Sequence, residues 1–248
     1  MDLSGRVALV TGAARRLGRA IARALAEAGA DLALHHHASA ELAEEGAEDL
    51  RGLGARVEVF QTDLAEVDQI AGLFDEIARS FGGLDILVNN AAIFERTPLL
   101  DISPADWDRV LNLNLRAPFF CSQHAARLMM SRGLGGGGGS IVNIADVGGL
   151  QPWPGYAHHS IAKAGVIMLT RVLARALAPD IRVNAVAPGP ILPPSDVSPE
   201  ERDELAQRTA LKRLGRPEDV AHTVLFLVRS DYVTGETIVV DGGKMLLT

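Results

Sequence analysis

The chain has 248 residues, 48% of them hydrophobic, enough for one large α/β domain or two small ones. Its formal net charge is −7 with no basic block, which argues against a nucleic-acid partner. Cys121 is the only cysteine, so no intrachain disulfide or cysteine metal cluster can form, and a reducing, cytoplasmic setting is expected.

Residues 6–11 (RVALVT) make a short apolar run and predict a first strand, followed by a helical stretch at 18–28. The pattern repeats with a strand at 31–36 (DLALHH) and a helix at 40–53, then a strand at 56–61 (RVEVFQ) and a helix at 67–81. A strand at 84–90 (LDILVNN) leads to a long helix at 104–132. The glycines of 135–139 read as a flexible surface turn before a strand at 140–145 (SIVNIA). A helix at 156–177, a strand at 181–187 (IRVNAVA), a helix at 217–228 and a strand at 237–242 (TIVVDG) complete the order. Segment 192–210 predicts a lid over the ligand cleft. Most strands are nearly continuous in hydrophobicity, as strands covered on both faces are. The alternation predicts a single-domain, Rossmann-type α/β fold: a doubly wound parallel sheet of about seven strands with helices on both faces. No apolar run approaches the roughly 20 residues that span a bilayer, and the start, MDLSGRVALVTG, lacks the order of a signal peptide, so no membrane association is expected.

The segment VTGAARRLG joins the first strand to the first helix. Gly12 permits a tight turn, Gly18 permits close helix packing, and the helix start offers N–H groups to a pyrophosphate. A plain βα turn has the same look, so this segment alone leaves both readings open. The second strand ends in HHHASAE, with no acid until Glu41. An NAD-preferring site places an Asp or Glu there for the ribose 2′-hydroxyl. Here His35, His36, His37 and Ser39 can donate hydrogen bonds, and Arg15 or Arg16 can reach the same place. That favours a 2′-phosphate, hence NADPH over NADH, although a histidine run can also cap an exposed strand end. Adjacent strand residues point to opposite faces, so the three histidines cannot share one ion, and no metal site is predicted.

Together the motifs resemble the classical short-chain dehydrogenase/reductase family from end to end. TGAARRLG resembles its cofactor loop, with Arg16 where the commonest pattern has glycine, and implies cofactor contacts from Gly12, Arg15, Arg16, Leu17 and Gly18. TDL implies adenine contacts from Asp63 and Leu64, and NNAA implies contacts from Asn90, Ala91 and Ala92. Asn114, in LNLNLRAPFF, matches the family's active-site asparagine. VNAVAPGPI places Pro188, Gly189 and Ile191 beside the nicotinamide and Pro190 beside the substrate. Within the family the chain is most similar to the pteridine reductases, through the loop arginine, the LHxH strand end and NNAAIFERTPL. That resemblance implies a pterin stacked on Phe94, and an aspartate, Asp146, where most relatives carry a catalytic serine. Ordinary apolar packing of Phe94 and a turn cap at Asp146 stay open on the residues alone.

The stretch GYAHHSIAKAGV carries the chemistry. The family's proton donor is a tyrosine four residues before a lysine that binds the nicotinamide ribose. Lys163 matches the lysine, and counting four back gives His159. Asp146 and His159 are thirteen apart, the interval from the aspartate to the catalytic tyrosine in pteridine reductases, so His159 is a substitution rather than a slip of register. Tyr156 matches a second aromatic beside the substrate, and His158 is expected at the surface or an interface. An imidazole reaches roughly 2–3 Å less far than a phenol, so a bridging water is expected between His159 and substrate. An imidazolium would be a good acid; Lys163 opposes that charge and Asp146 favours it. His159 is therefore either part of a proton relay with Asp146 and water or a placeholder in a weak site.

The resemblance implies an NADPH-dependent, pteridine reductase-like enzyme acting on a pterin or another small C=N or C=O substrate, with Asp146, His159, Lys163 and Asn114 as catalytic residues. A weak or inactive nucleotide-binding homologue and a general carbonyl or 3-oxoacyl reductase are the alternatives. It also implies a homotetramer, with a dimer as the alternative, paired through helices 104–132 and 156–177.

Overall fold

The computed structural model describes residues 1–131, 138–193 and 197–247. Short buried aliphatic runs pair into one parallel sheet. Its strands are β1 (Val7–Val10), β2 (Asp31–His36), β3 (Val57–Gln61), β4 (Ile86–Asn89), β5 (Gly139–Ile144), β6 (Ile181–Pro188) and β7 (Thr237–Val240), in the order β3-β2-β1-β4-β5-β6-β7. The order reverses between β1 and β4, which pair through Ala8 with Ile86 and Val10 with Val88. A ligand crevice forms at such a switch point, outside the carboxyl ends of the strands.

Successive strand residues face opposite sides. Ala8, Val10, Leu32, Leu34, Ile86 and Val88 pack on one side with α1 (Arg16–Glu27), α2 (Ala40–Arg51) and α8 (Pro217–Arg229). Val7, Leu9, Ala33, Leu87, Ile141 and Val183 pack on the other with α3 (Val67–Phe81) and α5 (Ala117–Ser131). Fully buried Ile21, Leu25, Leu32 and Ile77 each contribute about 1.5–3 kcal/mol by leaving water. Among the described residues no helix is long and apolar enough to cross a membrane.

Two expectations change. The single helix at 104–132 is α4 (Pro104–Leu111), a π-helical turn (Asn112–Arg116) and then α5; Arg132 lies outside the described residues. Ser103 starts α4 with a capping box to Asp106. The glycine turn at 135–139 falls largely outside the described residues, but Gly139 is the buried first residue of β5. A Cβ there would lie 2.8 Å from Ile181 Cγ1 and 2.9 Å from Met129 Sδ, so close packing rather than flexibility selects this glycine. The segment 192–210, expected to form a lid, contains a helix, α7 (Pro199–Gln207), after a capping box between Ser198 and Glu201. The chain enters the remaining long helix, α6 (Ala157–Leu177), from a 3-10 turn, Pro154–Tyr156.

Candidate active site

The glycine loop sits where β1 ends and α1 begins. Gly12 has φ +64, a left-handed conformation that glycine adopts without strain. A Cβ on Gly18 would lie 2.2 Å from the Gly12 carbonyl oxygen, so no other residue fits without moving the backbone. Asn90 and Ala91 brace the loop: the Asn90 amide donates to the Thr11 carbonyl at 2.8 Å, and the Ala91 N–H donates to Thr11 Oγ1 at 3.0 Å. His35 is a brace too. Its Nδ1 accepts from the Gly12 N–H at 3.1 Å and its Nε2 faces the Thr62 carbonyl at 2.9 Å, which assigns a neutral ring protonated on Nε2.

The other residues at the end of β2 are available to a ligand. His36 is buried, and its Nδ1 has no partner among the described residues. The Ser39 hydroxyl makes no capping bond to α2, and Arg15 lies exposed at the start of α1. His37 is exposed, 3.8 Å from Asp63, whose carboxylate also accepts from the Ala65 N–H at 3.0 Å. Leu64 is a core residue and can meet a cofactor only through its backbone. Leu17 packs against the core beside the loop. Arg16 departs from expectation. It holds a left-handed φ of +52, and its guanidinium donates to the carbonyls of Leu192 and Pro193, which ties the loop to the segment after β6 instead of reaching along β2.

Across the switch point, β6 ends at Pro188. The Gly189 N–H donates to the Val240 carbonyl at 2.9 Å, and a Cβ on Gly189 would lie 2.6 Å from Asp241 Cβ. Ile191 is buried in the core, and the Pro190 carbonyl accepts from the Gly215 N–H at 3.0 Å.

The catalytic candidates converge beside β5. The π-helical turn carries Asn114 inward, where it is fully buried; π turns recur at functional sites for this reason. Its Oδ1 accepts from the Ile93 N–H at 2.9 Å and its Nδ2 donates to the Ile93 carbonyl at 2.8 Å, so the backbone fixes the amide's orientation. The second Nδ2 proton faces His159 Nδ1 at 3.3 Å. That assigns Nδ1 as an acceptor and places the ring proton on Nε2. His159 Nε2 is buried without a hydrogen-bond partner among the described residues and lies 3.7 Å from Asp146 Oδ2. This is too long for a direct bond. Asp146 caps the following turn through Oδ1, which accepts from the Gly148 N–H at 2.6 Å, and so presents Oδ2 toward the histidine.

Lys163 lies one turn after His159 on α6. Its ammonium donates to the Ile144 carbonyl at 2.7 Å, and burial lowers its pKa to about 8, with the Asp146 charge opposing. Phe94 and Tyr156 stack at 4.3 Å with an interplanar angle of 13°, leaving no gap for a ring between them. Phe94 also meets the His159 ring edge-on at 4.8 Å, and Trp153 extends the aromatic wall. His158, expected at the surface or an interface, is buried within the fold. Sequence reasoning missed Trp153 and Lys244, whose ammonium sits 4.7 Å over the Trp153 ring. No group of side chains among the described residues has the arrangement of a metal site.

A family model described as enoyl-(acyl carrier protein) reductase matches residues 12–244. The chain is 39% identical over 246 residues to the 3-oxoacyl-(acyl-carrier-protein) reductase FabG of Staphylococcus aureus, covering 96% of this chain and 98% of that protein. It is 38% identical over 251 residues to the FabG of Thermotoga maritima, covering 99% of this chain and 100% of that one. A solved short chain dehydrogenase from Burkholderia cenocepacia in complex with NADP superposes with a TM-score of 0.90 at 37% identity, covering 99% of this chain and 100% of that chain. With the parallel sheet, the glycine loop and the switch-point site already in place, these near-complete matches show that the chain belongs to the classical short-chain dehydrogenase/reductase family of nicotinamide-dependent oxidoreductases.

Proposed function

We propose that the protein is an NADPH-dependent carbonyl reductase in which a neutral His159 takes the place of the family's tyrosine. The observation that carries this reading is the His159 ring, with Nδ1 held by Asn114 and an unpartnered Nε2–H directed toward Asp146. When bound, the cofactor supplies a hydride to the carbonyl carbon. His159 Nε2–H then donates a hydrogen bond to the carbonyl oxygen as negative charge develops there, and a neutral imidazole is known to act as such an electrophile. A ring protonated on both nitrogens would turn an N–H toward the Asn114 N–H, so Asn114 favours the neutral donor over an imidazolium. Asp146 Oδ2, 3.7 Å from Nε2, can accept from a water whose second proton passes to the alkoxide formed by hydride addition and is replaced from solvent. Lys163 stands behind this pair, where its ammonium can turn from the Ile144 carbonyl to a cofactor ribose.

Preference for NADPH rests on the end of β2. His36 Nδ1, the Ser39 hydroxyl and Arg15 supply donors, with no acid placed for a ribose 2′-hydroxyl. The relatives' names favour the general carbonyl or 3-oxoacyl alternative over the pterin reading, which draws no support from them. The stacked Phe94–Tyr156 pair also leaves the proposed pterin only an outer ring face. We further propose a homotetramer. Phe119 and Met130 on α5 and Ile161, Met168 and Val172 on α6 are exposed apolar residues on the helices that would pair.

NADPH oxidation with methyl 3-oxobutanoate tests the reading. His159→Ala is expected to lower kcat by about 10²–10⁴-fold, the usual contribution of a positioned proton donor, with NADPH affinity retained. A neutral donor also predicts no further rise in rate on acidification once Lys163, whose burial lowers its pKa to about 8, carries its charge. An unchanged rate in the alanine variant would remove His159 from the chemistry. NADPH binding without reduction of any carbonyl would select the nucleotide-binding alternative.

A further inference from the structure

A cleft of about 720 Å3 opens between the segment after β5, the end of α7 and the C-terminal turn. Its wall adjoins the proposed chemistry. A Cβ on Gly148 would lie 2.8 Å from the Trp153 ring, and Gly148 is the residue whose N–H holds Asp146. Two of the cleft's lining side chains are cations, Lys244 and Arg208, and the others are neutral.

Among the described residues neither cation has a close ion-pair partner. Lys244 is partly buried over the Trp153 ring and makes no ion pair among the described residues. Asp241, three residues earlier, turns its carboxylate onto the backbone, accepting from the Gly243 and Met245 N–H groups at 2.8 Å each. Arg208 has only a loose contact of 3.9 Å with Glu204, and both side chains are more than two-thirds exposed. Such a pair adds little. Burial lowers the Lys244 pKa and the Arg208 charge adds to that, while Asp146 and Asp241 oppose it. A protein of net charge −7 thus keeps two neighbouring cations in a cleft without an acid in its lining. An anion bound there would relieve their repulsion and form charge-assisted hydrogen bonds.

We propose that Lys244 and Arg208 bind a carboxylate of the substrate, so that the preferred substrates are small oxo acids whose carbonyl reaches His159. This rests on the carbonyl reductase reading and names its substrate class.

Calorimetric titration of the NADP+-loaded protein tests it without turnover. The probes are 3-oxobutanoate, its methyl ester and inorganic phosphate. The acid is expected to bind at least tenfold more tightly than the ester. Lys244→Met should abolish that ratio, Lys244→Arg should keep most of it, and Arg208→Met should reduce it. Arg208 is exposed, so its variant tests the proposal even if Lys244→Met fails to fold. Equal affinity for acid and ester, or a ratio that survives Lys244→Met and Arg208→Met, would overturn the proposal. Phosphate that binds more tightly than the acid and displaces it would overturn it in favour of a phosphoryl site. Failure of the underlying reading has a separate signature, the absence of NADPH oxidation with every carbonyl.

Discussion

His35 makes acid sensitivity of the cofactor loop calculable. The ring is buried at the end of β2, takes the Gly12 N–H on Nδ1 and faces the Thr62 carbonyl with Nε2. Burial lowers its pKa from 6.5 to about 4, against the opposing effects of the Thr62 carbonyl and Asp63. A histidine with a depressed folded-state pKa stays neutral in the native protein while the unfolded chain takes up a proton. Its stabilising contribution is therefore complete above the unfolded value and declines as pH falls from about 6.5 to about 4. Below that both states are protonated and the loss levels off. A difference of roughly 2.5 pH units corresponds to about 3 kcal/mol, of which about 2–3 kcal/mol is lost by pH 4.5. For a domain of this size that is a fall in Tm of about 5–10 °C. His35→Gln removes the titration while leaving an acceptor and a donor on the side chain. Urea unfolding of the apoprotein at about pH 7 and about pH 4.5 should show the stability difference shrinking by about 2 kcal/mol in the variant. An identical pH dependence in both proteins would refute the assignment of acid sensitivity to this ring.

Gly18→Ala should weaken NADPH binding at least tenfold and destabilise the fold by about 1–3 kcal/mol, because its methyl group would meet the Gly12 carbonyl; fluorescence titration and urea unfolding check both effects. The unmodified protein should bind NADPH at least about tenfold more tightly than NADH, and Ala38→Asp should invert that order by repelling the 2′-phosphate. Equal dissociation constants for the two cofactors in the unmodified protein would remove the case built on the end of β2. Light scattering at micromolar concentration should return a tetramer mass, and a monomer would contradict the proposed pairing of α5 and α6.

The strands were legible as short runs rich in aliphatic residues between turn signals; β1, β4, β5 and β6 are buried on both faces, whereas β3 and β7 at the sheet edges are only partly buried. The break at Asn112–Arg116 was not legible, since a π-helical turn uses the same residue types as the helices on either side. Helix α7 carried a usable signal in Ser198-Pro199-Glu200-Glu201, the spacing of a capping box, but the surrounding prolines read as a loop. Asp146, His159 and Lys163 could be placed together through the family resemblance, whose intervals they match. What those intervals could not convey was the direction of a long side chain. Arg16 turns to the carbonyls of Leu192 and Pro193, and Lys244 covers Trp153 from the far end of the chain. Such contacts depend on which loops the topology brings together, and no local pattern encodes them.

The neighbours of His159 decide what a tyrosine at position 159 would do. A phenol extends roughly 2–3 Å beyond an imidazole, a difference that matters for a proton donor that must sit within about 3 Å of its partner. The present ring is held edge-on by Phe94 at 4.8 Å and backed by Asn114, so it cannot retreat to make room. Its distal nitrogen already lies 3.7 Å from Asp146 Oδ2. A longer side chain would therefore carry its hydroxyl onto that carboxylate, which is itself fixed by the Gly148 N–H. The phenol proton would be held by Asp146 rather than offered to a carbonyl. His159→Tyr alone should thus leave kcat within about tenfold of the unmodified protein. His159→Tyr with Asp146→Ser, which removes the acceptor and shortens the side chain, should exceed the single variant by about 10-fold or more, part of the range a well-placed donor contributes. Single-turnover reduction of methyl 3-oxobutanoate separates this chemical step from product release. If His159→Tyr alone already gives the higher rate, the Asp146 carboxylate does not stand in the way and the chain has room for a phenol that it does not carry.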